Sequence, residues 1–143
     1  MKDGPLAESK VQSDLIASGF TVSLPTEEVG YDLVAEKDGS FYSIQVKKGS
    51  LRSDTNSGEA VKCNIMRSGR AEENVSKRKY DTDDFDILAM WAKPWDKVAY
   101  MAWNKPQYHW TVRRSKDGLS GQGSHRVNII DEYTVDRAVE RVK

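Results

Sequence analysis

The chain has 143 residues, enough for one domain with a real core and too few for two. Hydrophobic residues make up 38% and charged ones 31%, and four Trp and six Tyr supply large apolar pieces, which excludes wholesale disorder. The 22 basic and 22 acidic side chains cancel, so any nucleic-acid binding must come from segregated patches rather than from an overall field.

Residues 5 to 19 read as a helix, with Pro5 in its first turn, Asp3 or Gly4 as cap and Gly19 just past its end. Ala7, Val11 and Leu15 form the inner stripe, with Leu6 and Ile16 at its edges. A short strand over 20 to 24 and a loop over 25 to 30 follow. Tyr31 to Lys37 and Ser40 to Lys48 then read as two strands of a hairpin turning on Asp38-Gly39. That turn sets the register: Lys37 opposes Ser40, Leu33 opposes Ile44, and Asp32 opposes Gln45.

A loop over 49 to 58 leads to a third strand over 59 to 66. Residues 67 to 84 are polar and irregular, with a helical turn near 72 to 78. Phe85 to Trp91 and Val98 to Trp103 read as buried strands joined through Lys93-Pro94-Trp95-Asp96. A long polar segment over 104 to 126 precedes a closing helix over 132 to 142. One domain spanning 1 to 143 is expected, with 104 to 143 as a DNA-contacting segment and final helix.

The hairpin carries the chemistry. Alternation puts Tyr42, Ile44 and Val46 on one face and Ser43, Gln45 and Lys47 on the other. Asp32, opposite Gln45, leaves the same face with a Cβ separation of roughly 4.5–5.5 Å, suited to two oxygen donors gripping one hard cation such as Mg²⁺. Lys47 projects an ammonium beside them. Glu8 precedes Leu15 by seven residues, points almost the same way, and offers a third oxygen; it also suits a first-turn acid favoured by the helix dipole. Phosphodiester hydrolysis uses these parts: a metal to acidify water and neutralise phosphate charge, and a lysine to orient water or stabilise developing charge. The plain alternative is a solvated hairpin face.

Tyr31-Asp32 followed by Ile44-Gln45-Val46-Lys47 resembles the motif of the PD-(D/E)xK nuclease superfamily, and the order Glu8, Asp32, Gln45, Lys47, with Tyr80 and Phe85-Asp86-Ile87-Leu88 beyond, is most similar to its group I intron-associated homing endonucleases. The resemblance covers roughly residues 6 to 103. It implies an α/β fold with a restriction-endonuclease-like core, an N-terminal helix followed by a central mixed β-sheet with flanking helices. It implies a metal-dependent, site-specific endonuclease of double-stranded DNA that leaves 5′-phosphates. Asp32, Gln45 and Glu8 would be the ligands of Mg²⁺, with Mn²⁺ as substitute, and Lys47 the catalytic lysine. The pattern departs at Asp32, which lacks a preceding proline, and at Gln45, which replaces the usual acid. A junction resolvase or restriction-type nuclease, and an inert DNA-binding module, are the rival readings.

Basic residues gather in two stretches, Arg67, Arg70, Lys77 and Arg78 in one and Arg113, Arg114 and Lys116 in the other, the second interleaved with Tyr108 and Trp110. Such mixtures suit phosphate contact and base stacking, and the alternative is a solvated surface. Cutting both strands with one site per chain would need at least a dimer, so a homodimer or homotetramer is expected. Lys48 falls on the apolar face and reads as a surface lysine. Asp81, Asp83, Asp84 and Asp86 lack the glycine and terminal glutamate of a calcium loop and read as an acidic turn. With only His109 and His125, histidine-metal nucleases and Cys/His zinc sites are excluded. Cys63, the sole cysteine, reads as a core residue and fits a reducing, cytoplasmic setting. No apolar run approaches the ~20 residues of a membrane span, and no signal-like segment follows Met1, so an intracellular protein with no membrane partner is expected.

Overall fold

A computed structural model of the chain describes residues 3–52, 59–67, 78–115 and 128–143. Helix α1 spans Asp3–Ala17 and buries the expected stripe of Ala7, Val11 and Leu15. It starts two residues before the expected position, so Asp3 lies inside it and is held instead by Lys48 and Lys93. Its end is a Schellman motif: Phe20 N donates to Leu15 O and Gly19 N to Ile16 O, with Gly19 at φ 91°.

Strands β1 (Thr21–Ser23), β2 (Leu33–Lys37) and β3 (Ser40–Leu51) form an antiparallel meander. Asp38 and Gly39 both have positive φ, 53° and 82°, as a type I′ hairpin turn requires. Leu33 opposes Ile44 and Lys37 opposes Ser40, the register that the turn predicts. The loop expected from residue 49 starts later, because β3 runs on to Leu51 and pairs with β4 (Ala60–Asn64). Two-residue strands β5 (Met66–Arg67) and β6 (Arg78–Lys79) pair with each other. Arg78 is therefore extended, and the remainder of the expected helical turn, 72 to 77, lies outside the described residues.

The sheet is completed by β7 (Ile87–Ala92), β8 (Lys97–Ala102) and β9 (His109–Arg113), and helix α2 (Val135–Arg141) closes the chain. The β7–β8 connection is a single 3₁₀ turn over Lys93–Trp95. β3 is the hub. It lies antiparallel to β2 and parallel to β7, while its far end pairs with β4, which pairs with β9. The fold is thus α/β with a central mixed sheet and flanking helices.

Two cores sit on opposite faces of β3. α1 and α2 cover Ile44 and Val46 together with Ala89 and Trp91 of β7. On the other face β4, β9, Tyr80, Phe85 and Trp103 pack around Leu88 and Met90. Gly49 lies where β4 crosses closest: a Cβ there would meet Val61 Cγ1 at 2.5 Å and Met90 Sδ at 2.6 Å, so only glycine fits.

Two expectations about the C-terminal third are corrected. The stretch from 104 is not wholly a polar segment, because His109–Arg113 alternates and buries Trp110 and Val112 as β9. The last helix begins at Val135 rather than at 132: Ile130–Glu132 forms a 3₁₀ turn, and Thr134 caps α2 by accepting from Arg137 N. Among the described residues no helix is long and apolar enough to cross a membrane.

Candidate active site

Asp32 sits one residue before β2, where its backbone N donates to Ile44 O at 2.9 Å and so extends the hairpin by one step. Its carboxylate Oδ2 accepts from Val46 N at 2.9 Å and from Gln45 Nε2 at 2.9 Å. Two donors on one oxygen fix the carboxylate, while Oδ1 accepts nothing among the described residues. Asp32 and Gln45 therefore meet, as the register implies.

The detail of that meeting differs from the expectation of two oxygens side by side. A carboxylate only accepts, so the amide nitrogen of Gln45 faces Asp32, and the same nitrogen also donates to Val46 O at 3.3 Å. Gln45 is the one buried polar residue of the described chain, at 7% exposure. Its Oε1 accepts no hydrogen bond, yet it is not among the sealed orphan atoms, of which Trp110 Nε1 is the only one described; Oε1 is thus reached by solvent. Ligation by Gln45 next to Asp32 would use this turned-away oxygen or need a rotation of the amide.

Glu8, half-buried on α1, lies close enough to Asp32 to feel its charge. Its carboxyl is pushed above the ordinary range, first by burial and then by Asp32. No described cation pairs with either carboxylate. Two acids on neighbouring elements repel each other, and a cation between them would relieve that repulsion.

Lys47 leaves the same face of β3 as Gln45. Its Nζ is 3.4 Å from Tyr80 Oη and 5.3 Å from the centre of the Tyr80 ring. The Cys63 thiol is nearby: burial pushes it up to about 12, with the Lys47 charge pulling weakly the other way, so Cys63 is the core residue expected. Lys48, on the helix side, pairs with Asp3 at 2.8 Å and takes no part.

The acidic run after Tyr80 is structural. Asp84 Oδ2 accepts from Asp81 N, and Asp86 Oδ2 accepts from Ser43 N at 2.9 Å and Ser43 Oγ at 3.2 Å, tying the start of β7 to β3. Among the described residues no three His, Cys, Asp or Glu side chains gather as a metal cluster, so any cation at Glu8 and Asp32 would draw further oxygens from Gln45, water or substrate.

The expected DNA-contacting residues are dispersed. Arg67 and Arg78 oppose each other across β5–β6, and Arg70, Lys77 and Lys116 lie outside the described residues. Arg113 is half-buried at the end of β9; Arg114 is exposed, 5.9 Å above the Trp95 ring. Both border a recess with Glu59, Lys97 and Asp131. Arg113 pairs with Ala60, next to the Leu51 end of β3, so this edge lies about 20 Å along β3 from Gln45. Trp110 is a core residue, 5.2 Å from Tyr133, and cannot stack on bases; Tyr108 is exposed.

Sequence reasoning missed β9, although the alternation His109, Trp110, Thr111, Val112, Arg113 carried the signal. It gave Tyr80 no role, and nothing local could have, since Lys47 and Tyr80 meet only through the tertiary fold.

Comparison with known proteins agrees with the fold. The structure is similar to that of a bacterial homing endonuclease, with a TM-score of 0.68 over 97% of this chain and 95% of the other at 16% identity, a likeness of fold. The sequence is 35% identical over 88 residues to Protein 5.3 of Escherichia phage T7, covering 61% of this chain and 68% of the relative. The model of the PD-(D/E)XK endonuclease family matches residues 1–136, nearly the whole chain, and the chain belongs to that family.

Proposed function

We propose that the chain is a divalent-metal-dependent, site-specific endonuclease of double-stranded DNA, of the homing type, with Glu8, Asp32, Gln45 and Lys47 as its active site. The observation that carries this reading is the pair of carboxylates, Glu8 on α1 and Asp32 at the start of β2, close enough to feel each other's charge with no described cation pairing either, while Lys47 follows Gln45 by two residues on β3. PD-(D/E)XK nucleases generally use divalent metals. The donors here fit one: Asp32 Oδ1, the Glu8 carboxylate and the solvent-reached Gln45 Oε1 are hard oxygens suited to Mg²⁺ or Mn²⁺. When bound, such an ion lowers the pKa of its water and neutralises charge on the attacked phosphate.

The chain's own groups do the rest. Val46 N and Gln45 Nε2 hold Asp32 through Oδ2, leaving Oδ1 without a donor among the described residues. Lys47 offers its ammonium donors to the attacking water or to the phosphate oxygen that gains charge. Arg113 and Arg114 would follow the DNA backbone away from the cut, at a spacing that a duplex laid along β3 can bridge. The motif resemblance around Asp32, Gln45 and Lys47 implies one specific target and 5′-phosphate products. Cutting two strands with one site per chain would need at least a dimer.

The test is cleavage, in Mg²⁺, of duplex DNA flanking the chain's own gene, with a four-way junction in parallel. Asp32→Ala and Lys47→Ala should each lower the rate by about 100-fold or more while thermal stability and DNA affinity persist. Near wild-type cutting by either variant contradicts the site. Preference for the junction, without sequence dependence, points to a resolvase instead.

A further inference from the structure

We propose that Tyr80 is a positioning residue for the Lys47 ammonium, an inference that rests on the active-site reading of Lys47 above. A lysine is a point charge on a flexible stem with three donors, and something must fix where that charge sits. Among the described residues no carboxylate pairs with Lys47. Tyr80 meets it at its hydroxyl end: Oη is 3.4 Å from Nζ, and the ring centre is 5.3 Å from the same atom. The hydroxyl oxygen accepts one ammonium proton, a hydrogen bond strengthened by the charge on its donor. Two donors remain for water and phosphate. An acid in this place would tie down the charge that the reaction needs; a neutral aromatic holds it without cancelling it.

Tyr80 is itself rigidly held. It is 6% exposed and packs edge-on against Phe85 at 5.1 Å, and Phe85 stacks on Trp103 at 5.0 Å. Trp103 Nε1 donates to Asp81 O at 3.1 Å, which returns the chain of contacts to the residue after Tyr80. The aromatic run thus fixes where the Tyr80 hydroxyl sits. Tyr80 therefore acts through Lys47 and touches no reacting atom.

The experiment uses the full chain and a supercoiled plasmid carrying the DNA that flanks the chain's own gene, in Mn²⁺, with single-turnover rates at saturating protein. Tyr80→Phe keeps the ring and the packing; the cleavage rate should fall about tenfold, the scale of one hydrogen bond to a charged group, with DNA affinity and melting temperature unchanged. Tyr80→Leu also removes the ring and should fall further. In NMR spectra of the metal-free protein, the Lys47 ammonium nitrogen should shift between wild type and Tyr80→Phe, because its hydrogen bond to the hydroxyl is lost. Should Tyr80→Leu not fold, Tyr80→Phe decides alone. Tyr80→Phe cutting at the wild-type rate, weakening DNA affinity in place of the rate, or leaving the Lys47 ammonium shift unmoved would overturn the proposal. Lys47→Ala run alongside separates the two readings: if it cuts normally, the active site is misassigned; if it is dead while Tyr80→Phe is unimpaired, only the role of Tyr80 fails.

Discussion

The two faces of β3 are built from alternate residues of one short run, and they do different work. Ile44 and Val46 face α1 and α2 in an apolar core. Gln45 and Lys47, their immediate neighbours, face the opposite way, where one is a buried amide held to Asp32 and the other an ammonium held at the Tyr80 hydroxyl. The apolar face gains stability from burial. The polar face spends some of it, since a buried amide and two uncompensated acids are worth keeping only for what they bind. Stability and chemistry are thus separated by the pleat of a single strand, and substitutions should separate them too.

The largest split is between Ile44 and Gln45. Ile44→Ala should cost about 2–5 kcal/mol of stability, because the site is fully buried, while the folded fraction keeps its cleavage rate. Gln45→Ala should do the reverse: little change in denaturant midpoint, since Val46 N still holds Asp32, and loss of most cleavage. Equilibrium unfolding beside single-turnover cleavage measures both, and equal loss of stability in the two variants would break the comparison. A smaller effect is expected at Gly49→Ala. The added methyl collides with Val61 and Met90, so about 1–3 kcal/mol should be lost by overpacking with the metal and DNA behaviour of the folded protein intact.

Much of this organisation was legible in the residues. Asp38-Gly39 fixes the hairpin because both positions must take positive φ, and the register then places Asp32 beside Gln45 without any tertiary information. The α1 stripe follows from spacing alone. What was not legible depends on contacts remote in sequence or on atoms finer than a register. Which end of the Gln45 amide meets Asp32 is set by the acceptor-only carboxylate, and the seat of Lys47 is set by Tyr80, brought in by the short β5–β6 pair. Trp110 read as a base-stacking aromatic because its neighbours are basic, but pairing of β9 with β4 turns it inward. A basic stretch tells the sign of a surface, not which of its aromatics reach it.

The central claim is that Glu8 and Asp32 are a cation site, and thermal unfolding of Glu8→Gln with and without Mn²⁺ tests it most directly. The Glu8 carboxyl is held above its ordinary value of 4.5, so the stability it contributes is present below that pH and is lost as pH rises through the higher folded value. Without metal at neutral pH, Glu8→Gln should therefore melt at or above the wild-type temperature, and the gain should vanish in acid. With Mn²⁺ at about a hundred times its dissociation constant, wild type should gain about 2.7 kcal/mol, or about 5–10 °C, and Glu8→Gln little or nothing. Metal-free Glu8→Gln melting well below wild type, or both proteins rising equally with Mn²⁺, would contradict the account.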